Sequence, residues 1–170
     1  ALQAAKQGSA HLQQCVILDP NWHDAYVGLG TYHYVLANIP ALWRGIVQQL
    51  IGIQGNRQQG LQELHHARAH APLAGPEATW LLAKIALLSH EAQYEQAAAL
   101  LETLVQRYPH NFDYRYRLAY VATLQGHWPR AVHITQALAE EVKQGIFSAP
   151  WLPLLQYRLA ETYVLQGEAA

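Results

Sequence analysis

One spacing recurs four times along the chain. A small residue is followed four positions on by a larger or apolar one, then three on by another, then five on by proline. Gly8, Leu12, Cys15 and Pro20 fit it, as do Gly60, Leu64, Ala67 and Pro72, and again Ala97, Leu101, Leu104 and Pro109. Ala131, Thr135 and Leu138 make the fourth copy, with Lys143 where proline is expected. Offsets of four and three put these side chains on one face of a helix, and proline beyond them cannot continue it. A helix with one such face must bury it against something else. The spacing therefore demands a partner helix for each copy.

Those partners are legible. Tyr26-x-x-Leu29-Gly30, Leu118-Ala119 and Leu159-Ala160-x-x-Tyr163 each place a large residue before a small one, and Trp80 opens a fainter version. The clearest pair runs from Phe112 to Leu138. Leu118, Ala119 and Ala122 recur at helical spacing, Gly126 suits a left-handed helix C-cap, and Pro129 suits the first turn of the next helix. Gly126 and Gly167 are both expected at turns.

This alternation resembles the tetratricopeptide repeat, W-x2-L-G-x2-Y, then A-x3-F, then P, at a period of 34. The interval from Pro109 to Lys143 is one such period. The resemblance implies an all-α, right-handed superhelix of antiparallel helix pairs, an α-solenoid of about nine helices. Its expected divisions are a half repeat at 1–20, a repeat with an inserted helix at 22–72, repeats at 76–109 and 112–143, and a half repeat at 150–167. Neither end reads as a polar capping repeat, so further repeats or a partner are expected beyond both. The chain contains no Met, which suits a processed protein or an excised fragment. Gly75-Pro76 is expected in a connection, and the stretch from Glu140 to Pro150 in an irregular loop.

The insertion spans about Ala37 to Gly55. Pro40 suits a helix start, and Trp43, Ile46, Val47 and Leu50 form one apolar stripe. Arg44 is its one charge, with Gln48 and Gln49 where a membrane-surface helix would carry Lys and Arg. Packing on the neighbouring hairpin is the expected role, with docking of a partner helix as the alternative.

Charge excludes several functions. Charged residues are 14% against a usual ~25%, and the formal net charge is −1, so nothing attracts nucleic acid. No run of ~18 apolar residues could span a membrane. Ten tyrosines and five tryptophans on a weakly charged chain point to a surface covered by a partner.

Ten histidines raise the question of metal. His66 and His70, and likewise His11 and Cys15, are four apart and share a helix face. A zinc site needs three or four ligands, and the other histidines are scattered, so no metal site and no cofactor is expected. Cys15, standing at the small core position where Ala67 stands in the next copy, is expected to be buried. No Gly-rich phosphate loop and no G-x-S-x-G elbow occurs, and catalysis is not expected.

The resemblance places first helices along a concave groove, the usual binding surface of such solenoids. Residues rotated off the buried positions Leu29, Leu118 and Leu159 are the groove candidates. These are Asp24, Val27, Thr31 and Tyr34, then Leu81, Ile85 and Leu88, then Asp113, Tyr116, Arg117 and Tyr120, and finally Tyr157, Arg158 and Glu161. Tyrosines interleaved with arginines suit peptide recognition, through rigid ring area and planar hydrogen-bonding forks. Val27 and Thr31 stand where a chaperone-binding carboxylate clamp needs Lys and Asn, so the resemblance does not extend to clamp-type co-chaperones. The expected function is a non-catalytic scaffold for a protein or peptide partner. The alternatives are self-assembly, copies stacking through uncapped ends, and, behind it, a metal-binding or enzyme-accessory role. A bacterial cell-envelope setting is compatible with the resemblance.

Overall fold

The computed structural model describes residues 2–40, 45 and 55–168. Among these residues the chain is all-helical. Its elements are α1 (Leu2–Leu18), α2 (Ala25–Ala37), α3 (Arg57–His70), α4 (Gly75–Ala86), α5 (Tyr94–Arg107), α6 (Phe112–Leu124), α7 (Trp128–Lys143), a 3-10 turn (Ala149–Trp151) and α8 (Leu152–Glu168). The inserted stripe of Trp43, Ile46, Val47 and Leu50 lies outside the described residues. The chain divides into two compact units, Ala1–Leu82 and Ala83–Ala170, with the boundary inside α4.

In the first unit α1 packs on α2 and α2 on α3. The α2–α3 contact is built on two glycines. A methyl added to Gly30 would stand 2.8 Å from the Gly60 carbonyl oxygen, and one added to Gly60 would stand 2.6 Å from the Tyr34 nitrogen. The two helices therefore meet backbone to backbone, a distance no side chain permits. Leu64 and Ala67 close the contact at 0% exposure. Asn56 caps α3 by accepting from the Gln59 N–H at 3.0 Å, satisfying one of the first turn's orphan donors.

In the second unit consecutive helices from α5 to α8 pack in turn. Ala97, Leu101, Leu104, Ala131, Thr135 and Leu138 are all buried, as the recurring spacing requires. Asn111 caps α6 by accepting from the Tyr114 N–H at 3.1 Å. Gly126 takes φ +72 after α6, and Pro129 falls in the first turn of α7. One core cluster gathers Tyr116, Leu138, Ala139, Val142 and Leu155.

Four local expectations are corrected. Cys15 is exposed, and Gly8 with it. Among the described residues α1 packs on α2, and the face that carries Cys15 is left exposed. Gly75 and Pro76 open α4 instead of lying in a connection, because proline suits a helix's first turn. Glu140 and Glu141 belong to α7, which runs through Lys143. Gly167 lies inside α8, where it costs only about 1 kcal/mol relative to alanine.

Substituting Gly60 by alanine should lower the stability of the first unit by about 1–3 kcal/mol, although alanine favours helix. Urea unfolding followed by circular dichroism measures this. An equal substitution at Gly145, where φ is +77 but open space surrounds the Cα, should cost only its backbone strain.

Candidate functional site

Three of the groove candidates line one apolar cleft in the first unit. Val27 and Thr31 come from α2 and Leu81 from α4, and all are half-buried. Ala5, Ser9 and Leu12 of α1 face them, with Tyr32, Val35, Leu36 and Ile39. The cleft has a volume of about 570 Å³, within the usual range for a binding site. Among the described lining residues Glu77 is the single charged one. Val35, although apolar, is 55% exposed. Two hydroxyls in its wall, Ser9 Oγ and Tyr32 Oη, are buried beside each other. Burial pushes the Tyr32 phenol up from its ordinary range, while the neighbouring Ser9 hydroxyl draws it back.

The other candidates of this unit have different surroundings. Asp24 accepts backbone N–H bonds from Leu73 at 3.1 Å and Ala74 at 2.6 Å. Its carboxylate thus caps the start of α4, where a negative charge is favoured. Tyr34 is buried at 5% exposure.

In the second unit four candidates meet. The Arg158 guanidinium lies 4.3 Å from the centre of the Tyr120 ring, donates to Tyr116 Oη at 3.0 Å, and pairs with Glu161. Tyr116 itself is buried, stacked against Phe112. Arg117 pairs with Asp113 one turn away at 3.7 Å. Tyr157 is 63% exposed, and Ile85 is half-buried while Leu88 is exposed. The guanidinium is thus held over one ring and bonded to a second phenol, an arrangement that fixes its position.

A further group of residues was not legible as a group. His33, buried, meets Glu63 at 2.6 Å between α2 and α3, and both line a second cavity of about 270 Å³. Along the same seam Tyr26 lies against His66, their tilted rings 4.5 Å apart between centroids, and His23 Nδ1 stands 3.0 Å from His66 Nε2. The signal that finds them is topological. In an antiparallel pair the start of the first helix lies beside the end of the second, so His23 belongs next to His66 and His70 despite an interval of 43 residues.

With this geometry established, comparison with known families is informative. Residues 88–149 match the family model of the tetratricopeptide repeat, a match that supports a tetratricopeptide-repeat-containing protein. No curated protein and no solved structure matches it. Repeats of this family are generally non-catalytic modules that mediate protein–protein interaction. Among the described residues no helix is long and apolar enough to cross a membrane.

Burial, then the nearby His70 and His23, holds the His66 imidazole below the usual histidine range. The folded state therefore binds a proton at His66 less readily than the unfolded state. Its contribution is complete above ~6.5 and is lost as pH falls through the histidine range. Thermal melting in chelator should show reduced stability between pH 7 and pH 5, and His66→Gln should flatten that step.

Proposed function

We propose that this protein is a non-catalytic scaffold that receives a protein or peptide partner in a groove lined by its first helices. The observation that carries this reading is the apolar cleft of about 570 Å³ in the first unit, to which Val27, Thr31 and Leu81 all contribute. Among its described lining residues none is Lys, Arg or His, and the one carboxylate is Glu77. The occupant is therefore an apolar segment without acidic flanks, since a carboxylate beside Glu77 would be repelled. The Tyr116–Tyr120–Arg158 cluster offers a second, polar recognition surface in the other unit.

A second reading is self-association. Ile17 and Leu18 of α1 are 78% and 86% exposed, and Tyr163 and Val164 of α8 are 51% and 59% exposed. Light scattering over a concentration series separates the two readings, since only self-association gives a mass that grows with concentration.

For the scaffold reading, Val27→Asp and Leu81→Asp place a charge in the cleft without touching the α2–α3 contact. Each should keep the wild-type circular dichroism spectrum and reduce partner affinity by about tenfold or more, as loss of a central apolar contact does. The readout is quantitative affinity capture beside wild type. Unchanged capture by both variants rejects the cleft as the site.

A further inference from the structure

The second cavity of the first unit is bordered by a different face of α2 from the one that lines the apolar cleft. Tyr26, Leu29 and His33 recur at intervals of three and four and line this space of about 270 Å³, and the described linings of the two share no residue. Its mouth is open, since Gln13 and Ile17 of α1 and Gln59 of α3 are exposed. Its floor is Leu29 and His33, at 4% and 5% exposure. The volume falls below the ~300–1,000 Å³ of sites for drug-sized ligands, so the space suits a group the size of one side chain. Glu63 lines it too, with a side chain only 13% exposed. His33 Nδ1 donates to Glu63 Oε2 at 2.6 Å, and Gln59 Nε2 donates to Oε1 at 3.0 Å. A carboxylate has about four acceptor positions, so each oxygen keeps a lone pair beyond these bonds. A proton on Nδ1 leaves Nε2 of a neutral imidazole as a further acceptor. Among the described lining residues none is Lys or Arg, and a secluded carboxylate is costly until a cation or further donors satisfy it.

We propose that this cavity binds a primary ammonium group at the end of a short alkyl chain, with Glu63 as its counter-ion. An ammonium has three N–H donors and no acceptor, which complements a lining that is rich in acceptors. Val16, Leu29 and the Tyr26 ring give apolar walls to the methylenes, as a lysine-type chain lays its stem along apolar surface while its head stays polar. An alcohol of the same length gains those walls without the charge, and a carboxylate is repelled by Glu63. His33 and Gln59 each hold one carboxylate oxygen, so the acceptor is fixed before the ligand arrives. A lysine side chain of a protein partner and a free aliphatic amine share this chemistry. The site shares no described lining residue with the apolar cleft, so it stands whatever occupies that cleft.

The test titrates the full chain with pentylamine hydrochloride at pH 8, above the ordinary histidine value of ~6.5, and follows backbone amides by two-dimensional NMR. Saturable shifts centred on the cavity-lining residues of α1, α2 and α3 are expected, and pentanol at equal concentration should not reproduce them. Glu63→Gln should weaken the amine by about tenfold or more, as loss of a hydrogen bond to a charged group does. Val16→Trp, at a half-buried position of the wall, should fill the cavity and block entry. This second variant leaves the His33–Glu63 pair intact, so it decides the matter if the first fails to fold. Glu77→Gln, in the other cleft, should bind like wild type. Acetyl-lysine methylamide binding as tightly as pentylamine assigns the site to a partner's lysine side chain, and pentylamine binding alone assigns it to a free amine. Absence of saturable shifts overturns the proposal, as do equal binding of pentanol and wild-type affinity in either cavity variant.

Discussion

The approach of α2 to α3 at Gly30 and Gly60 is the contact on which the first unit depends. Two backbones that close leave no room for a Cβ on either side, so their registry is fixed to within one residue. Everything else on this pair inherits that registry. Leu64 and Ala67 reach zero exposure, His33 reaches Glu63, and Tyr26 reaches His66. Asp24 then carries the registry onward, because its carboxylate holds the amides of Leu73 and Ala74 at the start of α4. In the second unit alanines take the place of the glycines. Ala119 and Ala131 are both at 0% exposure, and Leu138 packs with Tyr116, Val142 and Leu155 in the core of that unit.

On the proposed scaffold reading the two units offer different chemistry to a partner. The first presents a cleft with apolar walls and one carboxylate at its edge. The second presents an arginine already held by two tyrosines and a glutamate. Because Arg158 is ordered before any partner arrives, its rotamer entropy is spent in folding and does not weigh on binding. An apolar cleft supplies affinity with little directional preference, whereas a fixed guanidinium supplies orientation.

Much of the fold was legible in the sequence because the repeat spacing is a direct imprint of helix geometry. Gly60, Leu64 and Ala67 announce a buried face by their intervals alone, and Gly126 with Pro129 announces a turn by backbone chemistry. Cys15 was misread for a physical reason. Its interval matches the pattern, but burial depends on a neighbour, and a spacing within one helix carries no information about what lies across it. The groove candidates show the same limit. Angular position separated Val27 and Thr31 from Leu29, yet it could not show that Asp24 would be taken by the amides of α4 or that Tyr34 would be buried. The histidine cluster lay further out of reach, since it joins residues 43 apart and local periodicity sees only His66 and His70.

Chain length between α2 and α3 is decoupled from the repeat itself. Gly55 returns the chain to Leu36 and Ala37, so closely that a methyl on it would stand 2.2 Å from the Leu36 carbonyl carbon. The chain thus departs and comes back at one point on the surface of a helix pair already locked by its glycines. Closing a loop across such a fixed gap costs only about 0.6 kcal/mol for each doubling of its length. A change in the number of residues between these two points would therefore leave the hairpin beneath the same. That makes it the natural place for one repeat to acquire a trait its neighbours lack.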